Sequence, residues 1–155
     1  MKYLVAIELA DAPAKAVLDR ATAVCGADDQ LEVVHVVDPT SVAYSVDPTM
    51  TGQMYQQMYD QAMADAARRL GEICLPYGVE ASAQHVRYGR VAHEVHALLS
   101  EGQFDVCMVG SHGRSGWQRI LGSKAASILH GVSVDTWVFK LRDLQPTAEP
   151  ESSVG

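Results

Sequence analysis

Apolar and polar residues follow two kinds of pattern along this chain of 155 residues. Short, nearly continuous apolar runs predict five strands, at residues 3–9, 31–37, 79–88, 104–109 and 134–141. Apolar residues spaced by three or four predict four helices between them, at residues 12–24, 53–75, 91–99 and 120–130. Because strands that alternate with helices form right-handed crossovers, the pattern predicts an α/β fold: a single open parallel sheet with helices on both faces.

The stretch VGSHGRSGWQRILGSKAAS, residues 109–127, follows the fourth predicted strand. In open parallel sheets, ligands bind outside the carboxyl ends of the strands, where this stretch is expected. Gly110 and Gly113 would let backbone amides converge on an anion, and Gly122 and Ser123 stand at the opening of a predicted helix. The stretch contains neither GxxxxGK[ST] nor GxGxxG. The residues alone therefore leave two interpretations open, a phosphate-binding loop or a loop that turns tightly on glycine.

Composition narrows the classes of partner and compartment. The net charge of −7 and the scattered twelve Lys and Arg residues argue against a nucleic acid as partner. No apolar run approaches the roughly 18–20 residues of a membrane span, so no membrane partner is expected. Cys25, Cys74 and Cys107 form no CxxC pair, which favours reduced thiols and a cytoplasmic protein.

The glycine-rich stretch resembles a known family once its neighbours are included. VGSHGRSGWQRILGSKAASIL, with YLVAIELAD, LEVVHVVD, YGRVAHEVHALL and VDTWVFKLRD, is similar to the universal stress protein (UspA) family over nearly the whole chain. The resemblance implies a five-stranded sheet of order 3-2-1-4-5 in the nucleotide α-hydrolase-like fold. One domain is expected over residues 1–143, and the polar, proline-containing tail at 144–155 is expected to be disordered.

Two departures from the motif of nucleotide-binding members are visible. Those members carry G-x2-G-x9-G-[ST], whereas eight residues separate Gly113 from Gly122 here. Glu8 and Ala10 stand where binding members usually have Asp and Ser. Glu8 keeps the charge of that Asp, but its carboxylate lies farther along the side chain by roughly 1.5 Å, one covalent bond.

The resemblance implies a site for an adenine nucleotide, namely ATP with or without Mg²⁺. In the family, the glycines and the serine hold the phosphates and ribose, and an apolar residue of the second strand packs against the adenine. Carried over to this sequence, the implied nucleotide-binding residues are Ile7, Glu8, Val36, Gly110, His112, Gly113, Arg114, Gly122, Ser123 and Lys124. No residues are assigned to catalysis or to a protein metal site.

The fifth strand would have no partner beyond it in this strand order. An exposed apolar edge strand favours pairing with another copy, and the family dimerises through this strand, so a homodimer is expected. The predicted dimer edge comprises Val134, Thr136, Trp137, Val138 and Phe139.

Two functions stay open at this stage. The first is a stress-response dimer, not an enzyme beyond slow hydrolysis of ATP, whose bound nucleotide alters the surface seen by an unidentified protein partner. The second is a UspA-type interaction protein of the same fold that binds no nucleotide. The HEVH stretch at residues 93–96 is expected to hold exposed or packed histidines rather than a metal. The Met and Tyr residues between 44 and 63 are expected to pack the second helix on the sheet or cover the cleft.

Overall fold

Five parallel strands in the order β3-β2-β1-β4-β5 form the centre of the fold. The structure is a computed structural model that describes residues 1–40, 48–111 and 123–141. The strands are β1 (Lys2–Ala6), β2 (Gln30–Val37), β3 (Gln84–Tyr88), β4 (Val106–Ser111) and β5 (Asp135–Lys140). The predicted fold class, including the strand order, is confirmed.

Helices cover both faces of the sheet. They are α1 (Asp11–Val24), α2 (Gly52–Cys74), α3 (Val91–Gly102) and α4 (Ser123–Leu129). On one face, Val17 and Leu18 of α1 and Leu70 of α2 pack in a core cluster with the strands. On the other face, Val95 of α3 and Ile128 of α4 pack in a second cluster. Both clusters contain fully buried strand residues, as expected for a parallel sheet between two layers of helices.

The start of β3 differs from the prediction. Residues 79–83 were expected to begin the strand, but Ala81–Ala83 form a short 3₁₀ turn and β3 starts at Gln84. Val79 still packs against the first core cluster, which accounts for the apolar signal. Because the prediction counted this apolar residue as part of the strand, the predicted strand began too early.

The end of β4 also differs, and this difference concerns the glycine-rich stretch. Gly110 and Ser111 belong to the strand and pair with Phe139 and Lys140 of β5. A Cβ on Gly110 would lie 2.5 Å from Val17 Cγ2. Gly110 is thus required by close packing of β4 against α1, irrespective of any ligand.

Helix α2 corrects the expectation for the Met and Tyr residues. Its buried residues are Ala66, Leu70 and Cys74, all in its second half. Met54 and Tyr55 in its first turns are 46% and 47% exposed. For Met54 and Tyr55, the prediction that they pack the helix on the sheet is wrong, because the helix reaches the sheet through its later turns.

Several predicted features lie outside the described residues. They are His112, Gly113, Arg114, Gly122 and the tail at residues 144–155. The three cysteines are all described, and each is a free thiol. Within residues 1–40, 48–111 and 123–141, no helix combines the length and apolar character that crossing a membrane requires.

Candidate functional site

A cavity of about 230 Å³ lies at the carboxyl ends of β1, β2 and β4. It is lined by Ala6, Ile7, Glu8, Val34, His35, Val36, Val91, Val95, Val109, Gly110, Ser123, Lys124, Ala125 and Ile128. Six of the ten residues predicted from the sequence are among these: Ile7, Glu8, Val36, Gly110, Ser123 and Lys124. The other four predicted residues are those that fall outside the described parts of the chain.

The strand order explains why a cavity forms here. After β1 the chain runs into α1 on one face of the sheet, and α4 after β4 packs on the other face. β1 and β4 are hydrogen-bonded neighbours, and the segments that follow them turn to opposite faces of the sheet. A space is therefore left between the carboxyl ends of these two strands. Such a divergence leaves a crevice where ligands of open α/β sheets bind.

The inner wall of the cavity is apolar. Val34, Val95 and Val109 are at most 2% exposed, and Ile128 of α4 is 3% exposed. Drug-sized ligands occupy pockets of roughly 300–1,000 Å³, so a cavity of about 230 Å³ fits a group the size of a nucleobase rather than a whole nucleotide. Any further part of such a ligand would extend past the mouth.

The mouth of the cavity carries an ion pair that the sequence did not predict. The Nζ atom of Lys124 lies 3.3 Å from Oε1 of Glu8, and both side chains are more than half exposed. An exposed pair of this kind contributes about 0–1 kcal/mol to stability, so its partners exchange readily. The resemblance directed the Glu8 carboxylate toward an adenosine, whereas here it binds Lys124.

His35 on the cavity wall is a residue that the site prediction missed. Its Nδ1 lies 3.0 Å from the carbonyl oxygen of Ile7, and since a carbonyl can only accept, Nδ1 carries the proton. In the neutral ring Nε2 is then an acceptor, and it has no hydrogen-bond partner among the described residues. The available signal was a single polar residue in the apolar strand LEVVHVV.

Burial lowers the pKa of His35 below its ordinary value of 6.5. The Ile7 carbonyl and the Glu8 carboxylate oppose this shift, and the Lys124 ammonium reinforces it. Both members of the ion pair therefore interact electrostatically with the imidazole. At neutral pH the ring is uncharged and presents an acceptor rather than a cation.

Two other polar residues, His96 and Asp38, have structural partners. The Nε2–H of His96 donates to the carbonyl oxygen of Ile128 at 2.7 Å, and His93 is exposed, as expected for the HEVH stretch. Asp38 accepts hydrogen bonds from the amide and hydroxyl of Thr40 at 2.8 and 2.7 Å. Among the described residues, no group of three or more His, Cys, Asp and Glu is arranged to hold a metal ion.

A second hollow, of about 650 Å³, lies near the amino end of β2. Its lining includes the carboxylates of Asp29, Glu32 and Glu80. Asp29 binds the amino terminus at 2.6 Å, and Glu32 binds Lys2 at 2.9 Å. Three carboxylates in its lining make this hollow unsuited to the phosphates of a nucleotide, despite its size.

Comparison with known proteins identifies the family. The model of the universal stress protein family matches residues 1–140. The chain belongs to the universal stress protein family. It is 32% identical over 128 residues to universal stress protein A homolog 1 of Coxiella burnetii. The aligned region covers 82% of this chain and 88% of that protein. The resemblance found in the sequence is thereby confirmed.

Solved structures agree with the fold of this universal stress protein. Hypothetical protein MJ0577 matches with a TM-score of 0.70 and 16% identity, over 92% of this chain and 96% of that chain. A universal stress protein family protein of Arabidopsis thaliana with AMP bound matches with a TM-score of 0.60 and 15% identity, over 96% and 97% of the two chains. The nucleotide α-hydrolase-like fold is therefore shared across distant sequences.

The lowered pKa of His35 predicts a contribution to the pH dependence of stability. The unfolded chain protonates this histidine at a higher pH than the folded chain, so the contribution is lost as the pH falls below about 6.5. In His35→Gln, the free energy of unfolding should fall less between pH 7.5 and pH 5 than in the unaltered protein. Urea denaturation at the two pH values measures this difference.

The exposed His93 supplies the control, because His93→Gln alters a histidine outside the cavity. This variant should keep the pH dependence of the unaltered protein. Equal pH dependence in His35→Gln and His93→Gln would contradict the assigned effect of burial on His35.

Proposed function

We propose that this universal stress protein is a cytoplasmic homodimer that binds an adenine nucleotide, ATP foremost, and acts by binding and signalling rather than by catalysis. The observation that carries the proposal is one cavity whose lining includes six of the residues that the family resemblance implies for nucleotide binding. The free state of all three cysteines supports the proposed compartment.

Different parts of the cavity suit the base and the phosphates of a nucleotide. Its buried valine wall and its volume favour a flat apolar base, and His35 Nε2 offers one acceptor to an amino group such as that of adenine. The ammonium of Lys124 stands at the mouth, where a phosphate tail would emerge. The Arabidopsis relative with AMP bound supports the choice of an adenine nucleotide for this chain. Mg²⁺ would enter with the phosphates, since the proposal assigns it no protein ligands.

The alternative function is an interaction protein that binds no nucleotide. The observation that favours it is the exposed apolar surface on the first turns of α2, formed by Met54, Tyr55 and Tyr59. Tyr59 also contacts Tyr88 of β3 edge to face, with ring centroids 4.8 Å apart. The two functions differ in whether the cavity takes up ATP.

Thermal denaturation with and without ATP and Mg²⁺ tests nucleotide binding. Ligand at 100 times its Kd adds about 2.7 kcal/mol to the stability of the folded state. For a domain of this size that corresponds to a rise in Tm of roughly 5–10 °C. The unaltered protein should show such a rise with ATP.

Two alanines of equal burial provide matched variants. Ala125 lines the cavity and is 7% exposed, whereas Ala66 of α2 is 6% exposed and lies outside the cavity. Ala125→Val should reduce the ATP-dependent rise in Tm, and Ala66→Val should keep it. Gly113→Val tests the glycine motif in the same assay. No rise at millimolar ATP in the unaltered protein would leave the interaction function as the better account.

The proposed dimer rests on the outer edge of β5. This strand pairs with β4, and its other edge has no strand partner within the described residues. Trp137 and Val138 on it are 36% and 37% exposed. An apolar edge of this kind pairs readily with a second copy of the same strand.

Substitution at this edge tests the dimer. Val138→Glu places a charge on the proposed interface and should convert a dimer to a monomer in sedimentation velocity. Val24→Glu, at the exposed end of α1, is the control because Val24 is 45% exposed and distant in sequence from the edge. The dimer proposal fails if the unaltered protein is a monomer or if Val138→Glu leaves the dimer intact.

A further inference from the structure

We propose that Glu8 competes with the ligand's phosphates for Lys124 and so determines how strongly the cavity prefers phosphorylated nucleotides. This inference rests on the proposed function, because it concerns the same cavity. It goes beyond that function by giving Glu8 a role opposed to binding. A carboxylate at this place lowers the affinity for highly charged ligands more than the affinity for an uncharged nucleoside.

The geometry brings the two charges together from different elements that line one cavity. Glu8 follows β1, Lys124 is the second residue of α4, and both line the cavity. Their charged atoms, Nζ and Oε1, are 3.3 Å apart, and both side chains are more than half exposed, so the pair lies where the cavity opens to solvent. A ligand whose base enters the cavity would carry its phosphates toward this pair.

The exposure of the pair lets it exchange partners. The side chains of Lys124 and Glu8 are 56% and 53% exposed, so Glu8 can turn into water when Lys124 takes another anion. A phosphate carries more charge than a carboxylate and is the stronger competitor for an ammonium. The displaced Glu8 carboxylate nevertheless stays near the phosphates and repels them, more strongly for ATP than for AMP.

Glu8 is the described carboxylate that forms an ion pair with Lys124. Asp38 also interacts electrostatically with Lys124, but its carboxylate accepts two hydrogen bonds from Thr40. The His35 ring is neutral at pH 7 because burial lowers its pKa. Among the described residues that line the cavity, Glu8 and Lys124 therefore carry the opposite charges that a ligand meets.

Calorimetric titration with ATP, AMP and adenosine tests this inference on the full chain. Glu8→Gln should bind ATP about 5- to 10-fold more tightly than the unaltered protein, AMP by a smaller factor, and adenosine by the smallest factor of the three. Lys124→Gln should bind ATP about 5-fold more weakly, with a smaller change for adenosine. In a Lys124→Gln background, Glu8→Gln should raise the affinity for ATP by a smaller factor, because the competition needs both partners.

Glu101→Gln is the matched control. Glu101 is 56% exposed, binds Arg87 at 2.6 Å and lies outside the cavity, so the variant removes the same charge from a similar ion pair. It should leave the ratio of ATP to adenosine affinity unchanged.

The outcomes separate this inference from the proposed function. If neither ATP nor adenosine binds the unaltered protein, the proposed function fails. If both bind but Glu8→Gln changes their affinities by the same factor, or no more than Glu101→Gln does, the role of Glu8 is refuted. If Glu8→Gln raises the affinity for ATP as much in the Lys124→Gln background as in the unaltered protein, competition for Lys124 is refuted.

Discussion

The hydrogen-bonded pairing of β1 with β4 is the constraint on which the rest of this structure depends. These neighbouring strands run in parallel, but the helices that follow them cover opposite faces of the sheet. Because the chain leaves β1 toward one face of the sheet and β4 toward the other, it leaves a gap between the ends of these two strands. The cavity is therefore a consequence of strand order, and its lining residues are those that β1, β2, β4, α3 and α4 bring to that gap.

The same pairing explains the double role of Gly110. On the α1 side, the absence of a Cβ lets Val17 approach the strand, because a methyl group there would lie 2.5 Å from its side chain. On the other side, Gly110 forms part of the cavity lining. A substitution at this residue would disturb the core and the cavity together. For this reason the buried Ala125, rather than Gly110, serves to test binding.

Much of the fold followed from the pattern of apolar residues, because buried parallel strands and amphipathic helices have different periods. The glycine-rich stretch also directed attention to the edge of the sheet where the cavity lies. The strand boundaries were less predictable, since Val79 packs in the core from a turn and Gly110 lies within β4. The exposure of Met54 and Tyr55 was missed because helical spacing does not say which turns of a helix reach the sheet.

The chemistry of the site was harder to predict than its location. The ion pair between Glu8 and Lys124 joins residues from distant parts of the chain and depends on how far two flexible side chains reach. The orientation of His35 depends on the Ile7 carbonyl at the end of a neighbouring strand. Neither contact leaves a periodic signal in the sequence, so both required the assembled sheet.

Hydrogen–deuterium exchange with and without ATP tests the central claim, that this strand crevice is the nucleotide site, most directly. The account predicts slower exchange of backbone amides at residues 7–8, 34–37 and 124–126, which border the cavity. Amides around the acidic hollow, such as those of Asp29 and Glu80, should be unaffected. Protection confined to that hollow, or no change at millimolar ATP, would contradict the account.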